Sequence, residues 1–161
     1  MLATDGDGIR ILNVKYESLS NIRCTTGNIY SFPYSSVFCL YKDRDDNMWA
    51  GTIRGGLFGI KEVHMRTYRD VSPGNHYGMS DKTALCLYED EDGIIWVGTE
   101  GGGLNRLEPK SNRFTHYPNT YGYKVASITR YHERELLMYF FSNGLYLFDK
   151  RTGDLRPFTL L

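Results

Sequence analysis

Residues 37–61 (VFCLYKDRDDNMWAGTIRGGLFGIK) recur at 84–108 (ALCLYEDEDGIIWVGTEGGGLNRLE) with an offset of 47, and 11 of the 25 positions are identical. A unit repeating at this spacing cannot bury its apolar face alone and must stack on its neighbours, which restricts the chain to a solenoid or a propeller. The matched pairs are Cys39/Cys86, Leu40/Leu87, Tyr41/Tyr88, Asp43/Asp90, Asp45/Asp92, Trp49/Trp96, Gly51/Gly98, Thr52/Thr99 and the run Gly55-Gly56-Leu57 against Gly102-Gly103-Leu104. Each unit alternates β-formers with turn residues at short intervals and has no helical periodicity of useful length, which disfavours a helical solenoid. In the second copy the sequence predicts strand a from Ala84 to Tyr88, an Asp92-Gly93 turn and strand b from Ile94 to Thr99. A Gly-rich turn at 101–102, strand c from Gly103 to Leu107, a polar turn from Pro109 to Asn112 and strand d from Arg113 to Tyr117 follow. Four antiparallel strands per unit make a β-propeller blade.

Weaker copies flank these two. At the start, LATDGDGIRIL aligns with AGTIRGGLFGI, which puts Thr4 on Thr52, Gly8 on Gly56 and Ile9 on Leu57. At the end, VASITRYHERELLMYFFSNGLYLFDKRTGDLRPF keeps the strand pattern and Gly144-Leu145, with Leu137 in the Trp position and Tyr139-Phe140 in place of Gly-Thr. The chain therefore reads as all-β, a single partial propeller over 1–161. It comprises the end of a first blade at 1–23, a second blade at 31–70, a third at 79–117 and a degenerate fourth at 123–161. That is about three and a half blades, fewer than the roughly four to eight of closed propellers.

Charge narrows the partners. The 19 basic and 19 acidic residues cancel, so no basic field exists to hold a phosphate backbone, and nucleic acid is not expected as a partner. No apolar run is long enough to cross a bilayer, and no membrane contact by this segment is expected. Cys24, Cys39 and Cys86 lack metal-binding spacing; at least one has no intrachain partner, and Cys39 and Cys86 read as small buried apolar residues. No cofactor and no metal are expected.

The acidic stretches DRDDN at 43–47 and EDEDG at 89–93 could suggest calcium loops, but no further carboxylate completes a coordination shell. They read as hairpin turns, where Asp, Asn and Gly tolerate positive φ. Trp49 and Trp96 could be sugar-stacking platforms; recurring at one place in strand b, they read as the apolar filling between blades. Gly51 and Gly98 then leave room for the neighbouring sheet. Thr52 and Thr99 can tie off a loop through their hydroxyls, and Gly56 and Gly103 allow the sharp entry to strand c, which begins on Leu57 and Leu104.

Enzyme chemistry finds little support. His64, His76, His116 and His132 are scattered with no metal-ligating arrangement, and no nucleophile elbow is present. Function is expected in the loops instead. In a blade the d-to-a connection and the b-to-c turn emerge on one face. That face would gather Tyr34, His76, Tyr77, Tyr121 and Tyr123 from connections between blades, and Arg54, Glu100 and Asn143 from b-to-c turns. Aromatic rings beside hydrogen-bonding groups can stack on a sugar's apolar face and satisfy its hydroxyls, although tyrosines in such loops can equally be packing residues. The opposite face carries the acidic turns and reads as solvated.

The string read at Asp43 to Leu57 and at Asp90 to Leu104, with its D-x-D…W-x-G-T-x-x-G-G-L spacing, resembles the two-component regulator propeller repeat. The stretches FPYSSVFCLYKDRDDNMWAGTIRGGL, YGMSDKTALCLYEDEDGIIWVGTEGGGL and VASITRYHERELLMYFFSNGLYLFD resemble the periplasmic sensor portion of hybrid two-component histidine kinases of Bacteroides-type bacteria. Departures are Met1 where Trp would stand, Asp46-Asn47 in place of Asp-Gly, and the degenerate last unit. The resemblance implies a periplasmic sensor of oligosaccharides released from complex polysaccharides, signalling to a histidine kinase that controls polysaccharide-utilisation genes. It implies as partners the remaining blades and kinase domains of the same protein. No phosphoacceptor or nucleotide-binding motif occurs in this chain, and the family's sugar contacts lie outside the repeat motif.

Three functional readings follow. The first is a non-catalytic oligosaccharide-sensing segment of a receptor. The second is a structural or dimerisation segment, with ligand contacts made elsewhere, in which a homodimer joining two half-rings would cover the unpaired blade edges. The third, a lyase or hydrolase propeller, is the least supported by the residues.

Overall fold

The computed structural model describes residues 1–22, 36–61, 64–68 and 75–159. Among the described residues, fifteen antiparallel strands form four separate sheets, each built from strands consecutive in the chain. The first has three strands, β1 (Leu2–Ala3), β2 (Ile9–Asn13) and β3 (Ser18–Ile22). Each of the others has four, in the order a, b, c, d: β4 (Val37–Lys42) to β7 (His64–Tyr68), with β5 (Met48–Thr52) and β6 (Gly56–Lys61) between; β8 (Ala84–Glu89), β9 (Ile95–Thr99), β10 (Leu104–Glu108) and β11 (Arg113–His116); and β12 (Val125–His132), β13 (Glu135–Phe140), β14 (Gly144–Asp149) and β15 (Leu155–Pro157). The protein is an all-β propeller segment with meandering blades.

The a strands line up on one side of the stack, with β4 against β8 and β8 against β12. Between successive sheets lie three apolar cores. Ile9, Val37, Ala50 and Phe58 fill the first interface. Trp49, Leu57, Tyr68, Met79, Ile95, Leu107 and Phe114 fill the second, and Trp96, Leu104, Ile128, Leu136, Met138 and Phe148 the third. Both tryptophans are thus buried between blades, at 4% and 1% exposure.

The repeated glycines stand where sheets come closest. A Cβ on Gly51 would lie 2.9 Å from the Ala84 carbonyl oxygen, and one on Gly98 would lie 2.6 Å from that of Val125; Ala84 and Val125 each open the next blade's a strand. Cys39 and Cys86 sit opposite Gly51 and Gly98 in the ladder, and their Sγ atoms come within 2.5 Å of those same hypothetical Cβ positions. Both are free thiols. Burial pushes each thiol up to about 12. In the fourth blade Ser127 pairs with Tyr139 at this ladder position, so a large ring replaces the glycine.

In the third blade the observed strands differ from the expected bounds by about one residue at a, b, c and d. Gly103 adopts φ 71° and makes the turn into β10 rather than joining it. Asp46 at φ 65° takes the conformation that Gly93 takes at φ 75°, so the counterpart of Asp92-Gly93 is Asp45-Asp46, not Asp46-Asn47.

The acidic turns depart further from expectation. Asp43 and Asp90 are buried, at 6% and 3% exposure. Asp43 Oδ1 accepts the Asn47 N–H at 2.8 Å and Oδ2 the Trp49 indole N–H at 2.8 Å. Asp90 repeats this, with Oδ1 accepting from Ile94 N–H at 3.1 Å and Oδ2 from the Trp96 indole at 2.8 Å. These turns also clasp neighbouring blades. Arg44 Nε lies 2.8 Å from Glu89 Oε1, Arg44 donates to the carbonyls of Asp90 and Glu91, and Lys150 Nζ lies 2.8 Å from Glu91 Oε1. The exposed residues of these turns are Arg44 and the tips Asp45, Asp46, Glu91 and Asp92.

Candidate functional site

The b-to-c turn has a recurring lock. Thr52 Oγ1 donates to the Gly56 carbonyl at 2.9 Å, Thr99 Oγ1 to Gly103 at 2.7 Å and Thr4 Oγ1 to Gly8 at 2.8 Å. The residue after each Thr position is tied to the residue before strand a: Ile53 N–H donates to Ser36 O at 3.2 Å, Glu100 N–H to Thr83 O at 3.2 Å and Phe141 N–H to Lys124 O at 2.9 Å. The turn and the blade's entry connection are thereby held side by side, and what varies among blades is the side chains they display.

The connection into the third blade crosses its own sheet from the outer strand inward. Its His76 carbonyl accepts the Phe114 N–H at 2.7 Å, beside β11; its Gly78 carbonyl lies 2.8 Å from His116 Nε2; and Asn105 Oδ1 on β10 accepts the Ser80 N–H at 2.9 Å. Further inward it meets the second blade, where Gly56 N–H donates to Lys82 O at 2.7 Å and Arg54 N–H to Thr83 Oγ1 at 3.2 Å. A depression of about 530 Å³ opens here, lined by Arg54, Ser80, Asp81, Lys82, Thr83 and Glu100.

Of the residues singled out from the sequence, Arg54 and Glu100 share this depression. Glu100 faces Lys124, with Nζ 2.9 Å from Oε1, and Lys124 also lies 5.4 Å from the Phe141 ring centre. His76 and Tyr77 stand instead at the blade's outer edge, with Tyr77 66% exposed. Tyr121 is 48% exposed beside the Pro118–Thr120 turn. Tyr123 stacks on Phe140 at 4.6 Å between ring centres and 16° between planes, so its ring is packed into the fourth blade. Asn143 is exposed in the turn before β14, its N–H donating to Phe140 O at 3.0 Å. Tyr34, like Cys24, lies outside the described residues. Ser80, Asp81, Lys82 and Thr83 join the site unforeseen; the signal for them was the length of connection that must cross the blade before Ala84.

The polar groups of the depression are unequally engaged. Asp81 Oδ1 accepts the Thr83 N–H at 2.7 Å, Ser80 Oγ donates to the Gly102 carbonyl at 2.7 Å and accepts from Asn105 Nδ2 at 2.8 Å, and Glu100 is paired with Lys124. The Arg54 guanidinium and the Lys82 ammonium have no hydrogen-bond or ion-pair partner among the described residues. Such a site offers donors of positive charge framed by hydroxyl and carboxylate groups, and its walls are fixed by main-chain hydrogen bonds. Among the described residues no group of three or more His, Cys, Asp or Glu is placed to hold a metal ion, and no helix is long and apolar enough to cross a membrane.

Comparison with known proteins agrees with the repeat. The family model described as two-component regulator propeller matches residues 31–54 and 78–101. The search of curated proteins finds no match. Among solved structures, the extracellular domain of the hybrid two-component system BT3049 from B. thetaiotaomicron superposes with a TM-score of 0.78 at 15% identity, over 89% of this chain and 21% of that one. The extracellular domain of BT4673 from the same organism, titled as a hybrid two-component system, superposes at 0.61 with 21% identity, over 80% of this chain and 17% of that one. The chain thus spans about a fifth of the structures it matches. These likenesses show the fold, consecutive blades of a β-propeller, and the two-component regulator propeller model matches one stretch at each of the two strongest repeats.

Proposed function

We propose that this segment is a non-catalytic, extracytoplasmic sensor part of a hybrid two-component system, exposed to the periplasm, and that it detects oligosaccharides released by polysaccharide breakdown. The observation carrying the proposal is the depression between the second and third blades, where unrepeated side chains are displayed from a main-chain frame repeated in the second, third and fourth blades. A frame of this kind keeps the fold constant while the displayed residues set specificity. In the intact receptor, ligand held across two blades would favour one arrangement of the extracytoplasmic domains, and the differential affinity for that arrangement would bias the kinase. Isothermal titration of the intact extracytoplasmic region against a panel of glycan oligosaccharides tests the proposal. Saturable binding by at least one class is expected, and no binding by a folded protein would contradict it.

A second reading is favoured by one observation, the apolar sheet faces at the two ends of the stack. On the first blade Leu2, Leu12 and Leu19 are 53%, 49% and 52% exposed, and on the fourth Tyr139 and Leu145 are 41% and 40% exposed. Faces of this composition suit association with further blades or with a second copy. The segment would then serve assembly, with ligand contacts elsewhere in the receptor. Light scattering of the intact region separates the two: a strict monomer whose oligosaccharide binding depends on Arg54 supports the sensing role.

A further inference from the structure

We infer that the depression between the second and third blades is built for the acidic group of a charged oligosaccharide, a sugar carboxylate or sulfate, held by Arg54 and Lys82. The inference rests on the sensing role proposed above and adds the ligand class.

Arg54 is the first of the two cations at the depression. It occupies the second position of the b-to-c turn at φ 60°. The same turn position is filled by Gly6 at φ 97° in the first blade and by Ser142 at φ 67° in the fourth, while the third blade has Gly101 there. Glycine takes this backbone conformation without steric cost, whereas a long side chain does not. Folding therefore gains nothing from arginine at this place, and its guanidinium recovers nothing from the described residues, since it pairs with none of them. A strained residue held by its surroundings, as Arg54 is by the 3.2 Å hydrogen bond from its N–H to Thr83 Oγ1, points towards a role outside folding.

Lys82 supplies the second cation without a partner among the described residues. Its carbonyl is fixed by the Gly56 N–H at 2.7 Å, so the residue is anchored while its side chain is exposed at the same depression. Of the carboxylates nearby, Glu100 is ion-paired with Lys124, whereas Asp81 accepts the Thr83 N–H through Oδ1 and has no cation as partner among the described residues. Among the described residues two cations without an ion-pair partner, Arg54 and Lys82, thus face one such carboxylate, Asp81, which leaves the depression with an excess positive charge and open donors. A planar guanidinium presents a fork that matches carboxylate and sulfate oxygens two at a time, and an ammonium adds a point charge. A neutral sugar would leave that excess positive charge uncompensated beside it. The two carboxylates and the Thr83 hydroxyl remain available as secondary acceptors for sugar hydroxyls.

Titration calorimetry of the intact extracytoplasmic region, at low and at physiological salt, tests this. The probes are short oligogalacturonides, chondroitin sulfate disaccharides, and neutral xylo- and arabino-oligosaccharides. At least one acidic probe is expected to bind ten-fold or more tighter than every neutral one, with affinity falling as salt is raised. Preference between the carboxylated and sulfated probes identifies the source of the acidic group. Arg54→Gln and Lys82→Gln are each expected to lose ten-fold or more of that affinity, and Arg54→Gly to lose it while melting no lower than the parent. Neutral probes binding as well as acidic ones, or acidic binding unchanged in both Gln variants, would overturn the inference and leave the sensing role standing. Absence of binding by any probe would overturn both.

Discussion

Trp96 donates its indole N–H to Asp90 Oδ2 at 2.8 Å, and one repeat earlier Trp49 donates to Asp43 Oδ2 at the same distance. One carboxylate thus closes the a-to-b hairpin with Oδ1 and anchors the inter-blade tryptophan with Oδ2. The pair couples a blade's local turn to its packing on the next blade. Asp90→Asn and Trp96→Phe should each lower stability by about 2 kcal/mol or more. The double variant should show a coupling of about 1–2 kcal/mol, because each single change strands a buried polar partner. Denaturant unfolding of the four proteins checks this, and additive effects would refute the coupling.

Gly98→Ala should destabilise by about 1–3 kcal/mol, since the new methyl would press on the Val125 carbonyl at 2.6 Å and the Cys86 thiol at 2.5 Å. Gly101→Ala, whose methyl would come no nearer than 3.4 Å to Asp81 Oδ2, should change stability by less than about 0.5 kcal/mol. Thermal melts of both variants read the difference.

The two buried thiols give a pH dependence. Burial holds Cys39 and Cys86 protonated up to about 12, against an ordinary value of 9.0. The folded state therefore binds more protons than the unfolded state between these values. Stability should be unaffected by the thiols below pH 9 and fall above it, by up to about 1.4 kcal/mol per pH unit for each thiol. In a Cys24→Ser background, iodoacetamide at pH 8 should modify neither cysteine in the folded protein and both after denaturation. Fast modification of the folded protein would contradict this.

The tyrosines should separate into packing and surface residues. Tyr123, stacked on Phe140 at 4.6 Å, should cost about 1–3 kcal/mol as Tyr123→Ala. Tyr77, 66% exposed, should cost less than about 0.5 kcal/mol as Tyr77→Ala. Calorimetric melting of each variant measures this.

What the sequence made legible was whatever repeats. Trp49 and Trp96, and Gly51 and Gly98, recur at one spacing because they answer the same steric demand between sheets, and Thr52 and Thr99 because they close the same b-to-c turn. Strand order followed from them. The Asp–Trp bond was within reach, since both pairs are six residues apart, but treating each acidic cluster as a solvent-facing turn hid it. The clasp of Arg44 on Glu89 was not legible, because it joins residues 45 apart in the chain that have no counterpart in the next repeat. The same holds for the depression. Arg54 and Glu100 were named from their turns, whereas Ser80 to Thr83 reach the site only because their connection crosses the blade from its outer strand. His76 and Tyr77, on that same connection, end at the outer edge for the same reason.

Hydrogen–deuterium exchange of the intact extracytoplasmic region, with and without the tightest-binding oligosaccharide, tests the central claim most directly. The account predicts slowed exchange at residues 53–56, 80–83 and 99–103, which frame the depression, with little change along the a-to-b turns at 43–47 and 90–94. Ligand-dependent protection confined to other parts of the receptor, with 53–56 and 80–83 unchanged, would contradict it.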